Sequence, residues 1–266
     1  MNAAVKQGAG YTLFVLFLIN FLNFFDRAIP AAIMEPLRQE FGLTDTLLGL
    51  LTTSFTLIYA LAGIPLGRLS DKHPRTRILS FGVAVWSGLT AASGAAFSAM
   101  SFFFARLGVG VGEASCAPAA NSLIGDLYPS EKRARAVGIF MLGLPLGSMA
   151  CFAGGGHGAQ NDGWRAPFFF AAVPGLIVAL MAWFLIEPSR GAQEARPDAA
   201  VTVDRPFRRI LSIPTVWWII ASGASYNFAS YAMNTFLGAM LMRYHGLKIA
   251  EASGIASIVL GATGLV

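Results

Sequence analysis

Residues 11–30 read Tyr-Thr-Leu-Phe-Val-Leu-Phe-Leu-Ile-Asn-Phe-Leu-Asn-Phe-Phe-Asp-Arg-Ala-Ile-Pro. A helix of this length is about 30 Å long, enough to cross the hydrocarbon core of a bilayer. Near its end the run carries two charges, Asp26 and Arg27. A second apolar run, Met100 to Ile124, carries Arg106 and Glu113. A charge at membrane depth costs from about 2.5 to more than 10 kcal/mol, and such residues face the protein interior and mark ion or substrate pathways. Two oppositely charged pairs, each inside one membrane helix, therefore decide how the chain is read.

The composition agrees. Of the 266 residues, 55% are hydrophobic and 12% are charged, against about 25% charged in a soluble protein. Full-length apolar runs fall at about 11–31, 47–66, 78–98, 100–124, 134–155, 166–186 and 214–238, and another begins at 251. That last run reaches Val266 after about 16 residues, roughly 24 Å, and reads as a helix cut short. The expected class is an all-α membrane protein.

Basic residues fix the orientation. With a cytoplasmic N-terminus, the inside segments hold Lys6, the group Arg68, Lys72, Arg75 and Arg77, the group Lys132, Arg133 and Arg135, and Arg190, Arg196, Arg205, Arg208 and Arg209. The outside loops hold Arg38, Arg165, Arg243 and Lys248. The positive-inside rule favours this orientation. It assigns the net charge of +5 to topology rather than to nucleic acid. The first run is long enough to span and lacks a small-residue cleavage site, so no signal peptide is expected. The expected location is multi-pass, in a bacterial inner (plasma) membrane.

Six helices follow closely over residues 1–186. A polar stretch at 187–212, carrying Pro188, Pro197 and Pro206, reads as a cytoplasmic linker. Residues 213–266 begin a second bundle. This is the layout of a twelve-span transporter with two six-helix halves, each built from inverted three-helix repeats. Spans 1 and 4 are then equivalent helices, and both charged pairs sit on them.

Taking span 1 to run outward, Asp26 lies roughly 22 Å from the inner boundary, and Arg106 on span 4 lies roughly 9 Å from the outer one. Both fall at nearly the same level in the outer half, with Glu113 about 10 Å deeper. Asn20, Asn23 and Arg27 share one helical stripe, and Arg106, Gly110, Glu113 and Ala117 share another. The two arginines keep their charge, so each needs an acidic or carbonyl partner. Asp26 and Glu113 are the candidates for proton coupling, because burial and a neighbouring arginine act on a carboxyl in opposite directions. Arg27 and Arg106 are their charge partners and candidate contacts for a substrate head group. Pro30 frees the carbonyl of Asp26, and Pro118 frees that of Ala114. A static ion pair that locks two helices is the competing structural account.

The turn between spans 2 and 3 reads Gly67-Arg-Leu-Ser-Asp71-Lys-His-Pro-Arg75-Thr-Arg77. It resembles the loop 2–3 signature of the major facilitator superfamily, in which such loops lock the outward-open state. The resemblance gives Gly67, Asp71 and Arg75 the role of an inner gate motif. Arg106-Leu-Gly-Val-Gly-Val-Gly-Glu113, Asp126-Leu-Tyr-Pro, Arg133-Ala-Arg135, Asn23-Phe-Phe-Asp26-Arg27, Gly143-Leu-Pro-Leu-Gly147 and Glu187-Pro-Ser-Arg190-Gly resemble the spinster-like branch. The resemblance covers about residues 11–191. It implies proton-dependent movement of amphipathic lipids such as lysophospholipids. Its partners are then protons, the bilayer and a small amphipathic or anionic substrate. A small organic anion is the nearest alternative substrate. A non-transporting scaffold or receptor is the alternative if the chain naturally stops at Val266.

On span 7, Asn227, Ser230, Tyr231 and Asn234 form one polar stripe. Asn20, Asn23, Tyr59, Asn227, Tyr231 and Asn234 are the cavity-lining candidates, with interhelical bonding as the plainer reading. Gly108-Val-Gly-Val-Gly112 lies inside an apolar helix with no preceding strand, which excludes a nucleotide loop. His73, His157 and His245 fall in separate places, and Cys116 and Cys151 read as packing residues. No metal site, cofactor or enzymatic nucleophile–base set is expected.

Overall fold

The computed structural model describes residues 3–193 and 206–263. All of its regular elements are helical. Span 1 is α1, Ala3–Ala32, followed by a short helix α2, Met34–Phe41, on the side that the basic loops predict to face outward. Span 2 is α3, Asp45–Lys72, and span 3 is α4, Arg75–Gly94. Span 4 is divided into α5, Ala99–Glu113, and α6, Cys116–Leu127. Span 5 runs through α7, Ser130–Met141, α8, Gly143–Ala150, a π-helical turn at Cys151–Gly155, and α9, Gly156–Asn161. Span 6 is α10, Ala166–Trp183. After α11, Pro206–Leu211, come α12, Pro214–His245, and α13, Ile249–Thr263.

Local chemistry sets these boundaries. Thr44 accepts a bond from Leu47 N at 3.3 Å and starts α3. Ser98 and Ser101 form a reciprocal capping box at the start of α5, satisfying donors that the first turn leaves free. Gly42 ends α2 and Gly246 ends α12 with φ of 61° and 66°, a left-handed conformation that glycine adopts without steric cost. Span 4 breaks at Ala114–Ser115, where Pro118 can donate no bond to the Ala114 carbonyl.

Three expectations are corrected. The short helix α2 was not anticipated, because its polar sequence hides beside a long apolar run. Span 4 is two helices rather than one. Span 7 continues past residue 238 to His245, which puts Arg243 in a last helical turn rather than in a loop. The middle of the proposed linker, 194–205, and residues 264–266 lie outside the described residues.

Among the described residues, four helical stretches are long and apolar enough to cross a membrane: Gly8–Ala32, Asp45–Lys72, Ser130–Asn161 and Ala166–Trp183. Packing follows a pseudo-twofold pattern. Span 1 packs on span 5 as span 2 packs on span 4, span 1 meets span 6 as span 3 meets span 4, and spans 3 and 6 pack on each other. That is the relation expected of two inverted three-helix repeats. Close approach of spans 1 and 5 requires glycine, since a Cβ at Gly143 would sit 2.7 Å from Phe21 N.

The buried core forms two apolar clusters. One gathers the inner halves of the spans around Leu16, Val83, Ile124 and Phe140. The other gathers the outer halves around Ile29, Leu37, Phe102 and Phe168. The predicted charges lie between them. The second-half helices touch the first bundle near its outer end, where Thr235, Leu237, Gly238 and Ala239 of α12 are buried. From Pro214 to Met233, α12 has no buried residue.

Candidate functional site

The charged side chains pair across helices, not along them. Arg106 Nη1 donates to Asp26 Oδ1 at 2.5 Å. Arg27 Nε donates to Glu113 Oε2 at 2.7 Å. Neighbours at i and i+1 diverge around a helix, and residues seven apart stand about 10 Å apart along it, so same-helix pairing is geometrically poor. Crossing the pairs ties span 1 to span 4 twice. Asp26 and Arg106 are each 2% exposed and Glu113 is 0% exposed, while the Arg27 side chain keeps 14%.

Each carboxylate has a different set of donors. Asp26 accepts Arg106 on Oδ1 and the Thr90 hydroxyl on Oδ2. Its main-chain carbonyl, freed by Pro30, takes Arg106 Nη2 at 3.3 Å. Glu113 has Arg27 on Oε2, but its buried Oε1 has no partner among the described residues. Asn23 Nδ2 and Arg106 Nε are likewise buried without one. A polar atom left unpaired in a low-dielectric interior is costly. Among the described residues, these three atoms differ in this from the paired oxygens of Asp26.

Aromatic rings surround Arg27. Its guanidinium carbon lies 4.1 Å from the Tyr59 ring centroid, 5.1 Å from that of Phe24 and 5.6 Å from that of Phe55. Phe55 also lies 5.4 Å from the Arg106 guanidinium, between the two cations. With Thr90 on Asp26 from span 3, the site gathers spans 1 to 4.

The other predicted residues divide. Asn20 is 5% exposed and donates to Phe140 O at 2.8 Å, an interhelical bond rather than a free cavity group. Asn23 is buried beside the charged layer. Asn227 and Asn234 turn their amides onto the carbonyls of Gly223 and Ser230, at 2.8 and 2.7 Å, and Tyr231 is exposed. Cys116 and Cys151 are buried free thiols. No cluster of three His, Cys, Asp or Glu side chains suited to a metal occurs among the described residues.

At the inner end, Arg75 is fully buried and bonds Glu187 Oε1 at 2.7 Å, Ser122 Oγ at 2.8 Å, Pro188 O at 2.9 Å, and Asp126. Glu187 Oε2 accepts from Thr76 N, and Asp126 Oδ1 accepts from Gly191 N, both at 2.9 Å. Arg190 reaches the carbonyls of Ser70 and His73. The start of the linker is thereby fastened to the loop between spans 2 and 3. Burial acts to raise the Glu187 carboxyl, but the Thr76 and Arg75 bonds outweigh it and hold it below the usual carboxylate range. Asp71 is exposed and forms no ion pair among the described residues, and a Cβ on Gly67 would meet Pro118 only at 3.9 Å. Of the three motif residues, Arg75 makes the inner connections.

Sequence reasoning missed Thr90 and the role of Glu187. It also missed Arg243, which bonds Glu35 and, with two nitrogens, Asp45, all at 2.8 Å at the outer end. For Thr90 the signal was present: Ser80, Ser87, Thr90 and Ser93 recur on the buried face of an apolar helix.

A family profile of the Major Facilitator Superfamily matches residues 16–266. The chain is 29% identical over 258 residues to an MFS-type efflux pump of Mycolicibacterium smegmatis, covering 94% of this chain and 59% of the pump. It is 34% identical over 212 residues to protein spinster homolog 1 of Homo sapiens, covering 77% of this chain and 38% of that protein. The crystal structure of a bacterial homolog of the human lysosomal transporter Spinster, inward-facing and unoccupied, matches with TM-score 0.87 and 32% identity, over 98% of this chain and 61% of that one. The chain spans less than two thirds of each of these relatives. The family consists of membrane carriers rather than enzymes. With its fold, its profile match and these relatives in agreement, the chain belongs to the Major Facilitator Superfamily, and its neighbours there are of the spinster type.

Proposed function

We propose that the chain is part of a proton-coupled secondary transporter that moves an amphipathic or organic anion by alternating access. The observation that carries this reading is the unequal treatment of two buried carboxylates. Asp26 holds a guanidinium and a hydroxyl and serves as the fixed counter-ion of Arg106. Glu113 presents a buried oxygen with no partner, the place for a proton. Protonating Glu113 cancels its charge and leaves Arg27 uncompensated. A buried cation without a counter-ion is strongly unfavourable. An anionic head group reaching Arg27 restores neutrality. Proton uptake and anion binding then favour each other, and by linkage the coupling is reciprocal.

The orientation follows the basic loops, with the N-terminus in the cytoplasm of a bacterial inner membrane. Arg75, Asp126 and Glu187 tie the inner ends of the first bundle and the linker start, and this unit moves as one body against the second half. The resemblance of its motifs to the spinster-like branch favours a lipid-like anion, and a small organic acid is the second reading. Comparing lysophosphatidic acid with gluconate as ligands of the purified full-length protein separates the two. Binding of either that tightens at mildly acidic pH supports proton coupling. Binding of neither anion, with or without acid, overturns the reading.

A further inference from the structure

The aromatic wall around Arg27 carries an inference that rests on the anion-binding reading above. Arg27 commits Nε to Glu113 and makes no other hydrogen bond to the described residues. The Tyr59 ring lies 4.1 Å from its guanidinium carbon, nearer than Phe24 or Phe55. The Tyr59 hydroxyl, by contrast, bonds none of the described residues.

A guanidinium on a long side chain has many rotamers, and only a fixed plane offers its two amino groups as a fork matched to a carboxylate or phosphate. The bond from Nε to Glu113 fixes one edge of that plane. When Glu113 takes up a proton this bond weakens, at the moment the anion arrives. Something other than Glu113 must then keep the fork in place. Stacking of a cation on an aromatic face depends on the ring and persists whatever the charge on Glu113.

We propose that Tyr59 is a positioning residue, whose ring, and not its hydroxyl, holds the Arg27 fork toward the anion while Glu113 is protonated. The ligand chemistry it serves is a carboxylate or phosphate able to accept two parallel bonds.

The test measures dissociation constants for lysophosphatidic acid and gluconate on the full-length protein, with proton uptake per anion bound. Tyr59→Leu is expected to weaken binding about tenfold, with proton uptake per bound anion unchanged. Tyr59→Phe is expected to stay within about twofold and Tyr59→Trp to match wild type, since indole offers the stronger face. Tyr59→Met, of similar volume, serves beside the leucine variant and is expected to show the same loss. Equal weakening by Tyr59→Phe and Tyr59→Leu would place the role in the hydroxyl and overturn the proposal. Wild-type binding by Tyr59→Leu, with binding lost in Arg27→Gln, overturns it while sparing the anion site. Wild-type binding by Arg27→Gln overturns the anion-binding reading itself.

Discussion

Crossed pairing of the charges makes a quantitative prediction. Glu113→Gln keeps the shape of the side chain and removes its charge, leaving Arg27 without its counter-ion. Removing one member of a buried pair costs about 3–5 kcal/mol. Arg27 retains 14% exposure and the amide oxygen can still accept from Nε, so the loss belongs at the low end, about 3 kcal/mol. Arg27→Gln alone leaves a buried carboxylate and costs a similar amount. The double variant removes both charges and should cost less than the sum, with an interaction energy of about 2 kcal/mol. The same cycle on Asp26 and Arg106 should give a similar coupling, and the cycle on the neighbours Asp26 and Arg27 less than half of it. Denaturant unfolding in mixed micelles, followed by far-ultraviolet circular dichroism, supplies the free energies. A larger coupling for Asp26 with Arg27 than for Arg27 with Glu113 would refute the crossed arrangement.

Other perturbations follow from the same geometry. Thr90→Val removes a buried donor from Asp26 and is expected to cost about 1–2 kcal/mol, with Thr90→Ser nearly neutral, checked by thermal unfolding in detergent. Arg243→Ala breaks three bonds joining the end of α12 to α2 and α3; spin labels on α2 and α12 are expected to move apart, and an unchanged distance distribution would mean that these bonds do not hold the two helices together. Glu187 is held below the usual carboxylate range, so its contribution is present above the unfolded-state value and lost as pH falls through the lower folded-state value. The linker start should therefore resist cleavage near Arg190 at neutral and mildly acidic pH and yield only in strong acid, measured by limited proteolysis with an acid-tolerant protease.

Much of this arrangement can be read in the sequence because membrane helices are legible. An apolar run of about 20 residues has few folded alternatives in a bilayer, and the charges within it stand out by cost alone. Depth counting brought Asp26 and Arg106 to one level, in keeping with their ion pair, but it set Glu113 about 10 Å deeper than Arg27's level, and the two nonetheless bond. Pairing was not legible, because it depends on the rotation of span 1 against span 4, and neighbours in sequence invite the wrong partner. The polar face that holds Thr90 was visible in the sequence, but its partner was not, because a threonine in an apolar helix commonly bonds its own preceding turn. Glu187 and Arg243 looked like surface charges, and only tertiary contact gives them partners 112 and 198 residues away, Arg75 and Asp45. Asn20 shows the opposite case: a polar group on the expected face, bonded to the backbone of a neighbouring helix.

The most direct test of the central claim is the pH dependence of anion binding by wild type and Glu113→Gln in the full-length protein. Wild-type affinity for lysophosphatidic acid or gluconate should rise as pH falls, by up to about tenfold per pH unit if one proton is taken up. Glu113→Gln should bind with the acid-form affinity at every pH. Unchanged pH dependence in Glu113→Gln would contradict the assignment of the proton to Glu113.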